Sequence, residues 1–227
     1  MVITIKMPKE ASAAQLKGKR KCRFLFPREL SFLCWLSQAI EGDILEIGCN
    51  FGLTTAQLAM CNPGKLIHAV DFTGSNTTMC REQMREKPAG SKDIGKFAAD
   101  LPNVRIYDVN SRTLEYDRIT SPEQGGRPLA FVFIDGDHSY SGVKIDSALA
   151  LAYFAHHDGI VVWHDYAVKN PHWVKVTDFI DSEIAPKYAV IHIAETRLAL
   201  LAVGAKSQKI FKRLIRAHAR RCSPGEN

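Results

Sequence analysis

The chain has 227 residues, 46% of them hydrophobic and 24% charged, with a formal net charge of +6. That balance fits one soluble α/β domain with decorations rather than two full domains. No apolar run approaches the ~20 residues of a bilayer-spanning helix. The first residues also lack the charge–apolar–cleavage order of a secretory signal, so a cytoplasmic location is expected. The six cysteines form no C-x-x-C pair and no zinc-finger spacing with histidine, which reads as free thiols in a reducing compartment.

Residues 1–23 are polar and basic and read as a partly ordered arm; Lys17, Lys19, Arg20, Lys21 and Arg23 cluster there. A domain is expected over 24–205. It opens with a helix over Pro27–Ile40, where proline suits the first turn and Leu30, Leu33, Cys34 and Ser37 recur at helical spacing. Strands and helices then alternate. Strands are expected at Asp43–Ile47, Lys65–Asp71, Asn103–Val109, Leu129–Ile134 and Gly159–Trp163. Helices are expected from Leu53 to about Met60, near Thr77–Glu86, over Ser141–Ala155 and over Trp173–Ile184. Tyr188–Ile193 and Leu198–Val203, joined by four residues, read as a β-hairpin with no crossover helix. Residues 206–227 read as a basic amphipathic helix and tail.

Repeated βα units imply a doubly wound, mostly parallel sheet with helices on both faces. Fully apolar runs such as LAFVFI and GIVVW are what buried parallel strands look like. The hairpin adds one C-terminal antiparallel strand.

Glu46-Ile47-Gly48-Cys49-Asn50-Phe51-Gly52 lies at a strand-to-helix junction. Gly48 and Gly52 permit tight turning and close backbone approach to a ligand. This E-x-G-x-x-x-G segment resembles the first motif of class I S-adenosylmethionine (SAM)-dependent methyltransferases, and lacks the three-glycine spacing of a dinucleotide fingerprint. The resemblance implies a Rossmann-like fold whose backbone at Glu46–Gly52 lies beside the methionyl part of SAM. It also assigns Asp71, at the next strand end, to the ribose hydroxyls, and Asp108, ending the third strand, to the neighbourhood of the adenine amine.

Ligands of open α/β sheets bind beyond the carboxyl ends of the strands. Two such ends here carry Asp135-Gly136-Asp137-His138-Ser139-Tyr140 and His164-Asp165-Tyr166. Three carboxylates and two imidazoles at adjacent tips repel or desolvate one another unless paired, and a divalent cation relieves that. Carboxylate oxygens suit Mg²⁺ or Ca²⁺, and an imidazole admits Mn²⁺. Helix capping near Ser141, or pairing with Lys144 or Lys169, is the alternative.

The run F-I-D-G-D-H-S-Y-x-G-V-K-x-D, followed after about twenty residues by H-D-Y, is similar to a bacterial methyltransferase family. That family stands beside the macrocin and mycinamicin sugar O-methyltransferases and, more distantly, catechol O-methyltransferase. The similarity covers about Asp43 to Gly204. It implies that Asp135 and Asp165 ligate a metal and that His138 is a general base near the acceptor hydroxyl. Relatives carry an acid pair or Asp-Asn where this chain has His164-Asp165, so His164 either ligates the metal or contacts substrate. Asp137 either orients His138 or caps a helix.

These features point to a metal-assisted O-methyltransferase, with Mg²⁺ the expected ion and a small molecule or glycan the expected acceptor. An RNA or protein methyltransferase using the basic termini is the alternative, and a non-catalytic SAM-binding module a third reading. A nicotinamide dehydrogenase is disfavoured by the glycine spacing. The C-terminal helix suits peripheral contact with an anionic membrane, RNA phosphates or packing on the domain. A homo-oligomer is expected.

Overall fold

The computed structural model describes residues 1–12, 25–72, 93–168 and 172–222, with 214–222 described by their backbone alone. Its strands are β1 (Val2–Ile5), β2 (Asp43–Ile47), β3 (Ile67–Asp71), β4 (Val104–Asp108), β5 (Leu129–Ile134), β6 (Gly159–Trp163), β7 (Val190–Ile193) and β8 (Ala199–Val203). They form one eight-stranded sheet in the order β1-β7-β8-β6-β5-β2-β3-β4. Only β8 runs against its neighbours within this sheet. The expected fold class is therefore the observed one.

The helices are α1 (Lys9–Ser12), α2 (Pro27–Gln38), α3 (Leu53–Cys61), α4 (Tyr116–Ile119), α5 (Tyr140–Phe154), α6 (Val176–Phe179) and α7 (Ala205–Cys222). A π-helical segment, Ile180–Ile184, continues α6. Strand residues alternate between two apolar layers, because successive side chains leave opposite faces of a sheet. On one face Ile44, Phe131, Phe133, Ile160 and Val162 pack with Phe32, Leu33 and Leu36 of α2, Leu58 of α3 and Phe211 of α7. On the other, Leu45, Val132, Ile134, Val161 and Trp163 pack with Val143 and Phe154 of α5 and Phe179 and Ile180. Burying each such large side chain contributes about 1.5–3 kcal/mol relative to exposure.

The N-terminal arm differs from its expectation over residues 2–5, which form an edge strand. Hairpin strand β7 offers an outer edge of unpaired peptide groups. The β-branched run Val2-Ile3-Thr4-Ile5 covers it in parallel register, from Val2 opposite Val190 to Ile5 opposite Ile193. The helix expected near Thr77–Glu86 lies outside the described residues. The helix expected from Trp173 begins at Val176.

At the far end, Asp158 accepts the backbone N–H of Lys206 at 3.0 Å and anchors the start of α7. Phe211 is buried and Ile210 packs against the same core, while Lys206, Lys209, Lys212 and Arg213 are exposed. No helix among the described residues is long and apolar enough to cross a membrane. Cys34, Cys49 and Cys61 are buried and outside any disulfide.

The strand order carries the functional consequence. From β2 the chain adds β3 and β4 to one side, then returns to add β5 and β6 to the other. The direction reverses between β2 and β5, which opens a crevice beyond their carboxyl ends. Ile47 is opposite Ile134, and Ile134 opposite Trp163, so Gly48, Asp135 and His164 follow three aligned strand ends.

Candidate active site

Gly48 adopts φ +92°, and a β-carbon there would lie 2.2 Å from the backbone oxygen of Asp135. Only glycine fits a turn that presses β2 against the tip of β5 this closely. The loop then tightens through a 2.7 Å bond from Gly52 N–H to Cys49 O. Gly52 sits at φ +81°, and its β-carbon would meet Gly95 Cα at 2.7 Å. Gly95 N–H donates to Asn50 O at 2.7 Å and Phe97 N–H to Phe51 O at 2.9 Å, so the 93–98 segment walls the loop. Lys96 Nζ stands 4.3 Å above the Phe51 ring.

Asp71 closes the opposite side. Its Oδ2 accepts Asn50 N–H at 2.7 Å and its Oδ1 accepts Phe72 N–H at 2.7 Å. Each carboxylate oxygen keeps a second lone pair for a hydroxyl donor. Asp108 is exposed and registers directly opposite Asp71. Asn50 holds φ +49°, and its buried Oδ1 has no hydrogen-bond partner. A buried polar atom without a partner, on the loop that lines the crevice, fits a ligand that brings a donor.

Two expected cofactor residues are placed differently from the rest. The Cys49 thiol packs in a small apolar cluster with Ala69 and Ile94, and burial pushes its pKa well up. Contact with a ligand from this position is therefore through its backbone. The Glu46 side chain is buried and accepts Thr55 Oγ1–H at 2.5 Å. Desolvation, opposed by the Thr55 bond and reinforced by the charges of Asp135 and Asp71, raises its pKa to about 8. Glu46 thus belongs to the support of the crevice, through α3.

Beside the glycine turn, Asp135, His138 and Asp165 bring one ligand atom each to within 4.8 Å of one another. His138 Nε2 lies 3.0 Å from Asp165 Oδ2 and 3.4 Å from Asp135 Oδ1. Octahedral ligands at about 2.1 Å stand about 3.0 Å apart when cis and about 4.2 Å when trans. The donor set and spacing therefore fit a small divalent cation of the Mg²⁺ or Mn²⁺ type. Burial opposes charge on each group, yet pairing dominates: His138 is raised to about 10, and the Asp135 and Asp165 carboxyls are held below their ordinary range.

This geometry bears on two expected roles. While both carboxylates face His138 they favour its protonated form, which opposes the expected role as a base. His164, the other expected metal ligand, lies outside that group of three but faces both of its carboxylates. Nδ1 lies 2.9 Å from Asp135 Oδ1 and 3.5 Å from Asp165 Oδ1, and Nε2 lies 3.5 Å from Glu29 Oε2, an ion-pair distance. Opposed by burial but held by Asp135 and Glu29, its pKa rises to about 10.

The neighbours resolve other ambiguities. Asp137 accepts Ser139 N–H at 2.9 Å and Ser139 Oγ accepts Gly142 N–H at 3.1 Å, so Asp137 shapes the start of α5 rather than orienting His138. Trp173 stands edge-on to His138 at 5.9 Å, and Lys175 N–H donates to His138 O at 2.8 Å. Tyr166 is buried with its hydroxyl on Asp181, and Trp163 Nε1–H donates to Ser147 within the core. Tyr140 bonds Glu183 and stacks edge-on against Phe179.

Sequence reasoning did not find Glu29 and Arg197. Glu29 stands in the first turn of α2 and is fully buried. Arg197 ends the hairpin turn, and its NH1 donates to Asp165 Oδ1 at 3.0 Å. The available signal was an acid inside an otherwise apolar helix face, PRELSF, which by itself reads as an ordinary first-turn acid.

The fold and crevice define the class: a doubly wound α/β protein with a crevice at the switch point of its sheet. The profile of the family described as "Methyltransferase domain" matches residues 45–166, more than half of the chain. The chain belongs to that family and is a class I SAM-dependent methyltransferase. Among solved structures it resembles a candidate caffeoyl-CoA O-methyltransferase from Staphylococcus aureus, with 16% identity, TM-score 0.52, and 86% of this chain and 88% of that one covered. Cofactor-bound Rv0187 from MTB aligns at 18% identity with TM-score 0.46, covering 86% of each chain. A search of curated proteins finds no significant match.

Proposed function

We propose that this chain methylates a hydroxyl oxygen of a small-molecule or glycan acceptor, with a divalent cation at Asp135, His138 and Asp165. The convergence of those three side chains beside the Gly48 turn carries the reading. SAM supplies a sulfonium-activated methyl group, which an aligned oxygen takes by in-line displacement. A cation held by the triad would orient an acceptor hydroxyl and lower its pKa.

The chain's own residues do the remainder. Gly48 and Gly52 shape the backbone that receives the methionyl end, and Asp71 offers lone pairs to ribose hydroxyls. The crevice sets donor and acceptor side by side, and positioning of this kind supplies up to about 7–11 kcal/mol of barrier reduction in favourable cases. With Asp135 and Asp165 neutralised by another positive charge, the interactions that keep His138 protonated are lost. Its imidazole is then able to ligate or to take the acceptor's proton.

The test is calorimetry with SAM, S-adenosylhomocysteine and NAD, followed by transfer of labelled methyl to hydroxylated acceptors in Mg²⁺ or EDTA. SAM and S-adenosylhomocysteine bind, NAD does not, and turnover needs Mg²⁺. Full turnover in EDTA removes the cation from the reading. Steeply salt-dependent RNA binding together with RNA methylation replaces the small acceptor with a polynucleotide.

A further inference from the structure

Glu29 and Arg197 join the two acidic tips from outside the motif-bearing segments. Glu29 Oε1 accepts Arg197 N–H at 2.7 Å, and Arg197 Nε lies 3.7 Å from the same oxygen. Glu29 Oε2 faces His164 Nε2 at 3.5 Å. His164 in turn holds Asp135 Oδ1, and Arg197 NH1 holds Asp165 Oδ1 at 3.0 Å. One oxygen of each tip carboxylate is thus engaged by the His164 imidazole or the Arg197 guanidinium, and the buried Glu29 carboxylate stands against both groups. The Arg197 backbone adds a third tie, because its oxygen accepts Tyr166 N–H at 3.0 Å.

A second observation shows that this turn needs holding. Asp165 sits at φ +56° without being glycine. A left-handed β-carbon-bearing residue persists where its surroundings over-determine it. Arg197 supplies that restraint on both sides of the strained peptide, through Asp165 Oδ1 and Tyr166 N–H. The Arg197 guanidinium also lies 4.9 Å from the Phe26 ring, which limits its freedom to swing away.

We infer that Glu29 and Arg197 are positioning residues: with His164 they form a clamp that sets the separation of Asp135 and Asp165 and so tunes the cation site. The clamp rests on the cation reading above. A purely structural role is the competitor, because Glu29 Oε2 also accepts Phe26 N–H at 2.8 Å at the start of α2. Glu29→Gln separates the two. The amide keeps an oxygen for the helix start and nearly the same volume, but loses the second carboxylate oxygen and the negative charge that face His164 and Arg197. Arg197→Lys keeps the backbone ties and the charge but not the planar fork.

The experiment titrates Mn²⁺ into the full chain by water-proton relaxation, beside SAM calorimetry and thermal unfolding. In Glu29→Gln, Mn²⁺ affinity falls about tenfold while SAM affinity stays within about threefold, an effect of the size that residues supporting metal ligands exert. In Arg197→Lys the Mn²⁺ loss is about fivefold in the same direction. Mn²⁺ affinity unchanged in Glu29→Gln, or in Arg197→Lys where Glu29→Gln does not fold, overturns the clamp alone. Parent protein that binds SAM but not Mn²⁺ overturns the cation reading and the clamp with it. Equal loss of Mn²⁺ and SAM affinity, in step with the unfolding temperature, assigns Glu29 to the helix instead.

Discussion

A methyl group placed on Gly48 would stand 2.2 Å from the backbone oxygen of Asp135. The two residues follow β2 and β5, the strands between which the sheet reverses its order. Cofactor turn and acidic tip are therefore neighbours by topology, and each limits where the other can lie.

Gly48→Ala tests this contact. The substitution forces a side chain into both a left-handed backbone and an occupied space. Destabilisation of about 2–4 kcal/mol is expected, with SAM affinity reduced at least about tenfold. Thermal unfolding and calorimetry on the same preparation measure both. An alanine variant with parental SAM affinity would show that the turn does not shape the cofactor site.

Asp135→Asn and Asp165→Asn separate cofactor binding from chemistry. Both carboxylates converge on His138, Asp135 at 3.4 Å and Asp165 at 3.0 Å. SAM affinity is expected within about threefold of the parent, with Mn²⁺ affinity and turnover each reduced about 100-fold or more. Loss of SAM binding in equal measure would place these acids in the cofactor site.

The proposed cation site predicts a pH dependence through His138. Asp135 and Asp165 raise its pKa to about 10, so a cation that takes the imidazole as a ligand must displace a proton across the neutral range. Below that value apparent Mn²⁺ affinity strengthens as pH rises, by up to about tenfold per pH unit. Titrations at three pH values between slightly acid and mildly alkaline measure the slope. A flat profile would exclude His138 as a ligand that gives up its proton.

Glu46 makes an opposite kind of prediction, about stability. Its pKa is raised in the fold to about 8 by burial, from an ordinary glutamate value of 4.5. Folded chain holds the proton more tightly than unfolded chain between those values. The stabilisation is thus fully present below the lower value and is lost as pH rises through the upper one. Glu46→Gln removes the titration while keeping a partner for Thr55. Its unfolding temperature relative to the parent is expected to climb between acid pH and pH about 9. A pH-independent difference would show that Glu46 ionises normally.

Much of this molecule is readable from local pattern. DILEI, LAFVFI and GIVVW are apolar runs that a buried parallel strand requires, and their observed limits are those expected. E-x-G-x-x-x-G and the D-G-D-H and H-D-Y tips mark strand ends, because glycine turns and clustered acids are poor choices inside a core. Edge strand β1 was harder, since four short residues in a basic arm gain order only from the β7 edge they cover.

Contacts within the tips were decided by the tertiary structure. Spacing placed His138 and His164 at neighbouring strand ends, but which imidazole joins the acid pair depends on the direction each side chain takes from its backbone. Alternation sends Trp163 to one apolar face and turns His164 to the α2 side, where Glu29 receives it. Glu29 and Arg197, 168 positions apart, meet only after the sheet and hairpin have closed. Local pattern specifies elements because hydrogen bonding and burial act over a few residues. Ion pairing acts across space, so its partners are settled by packing.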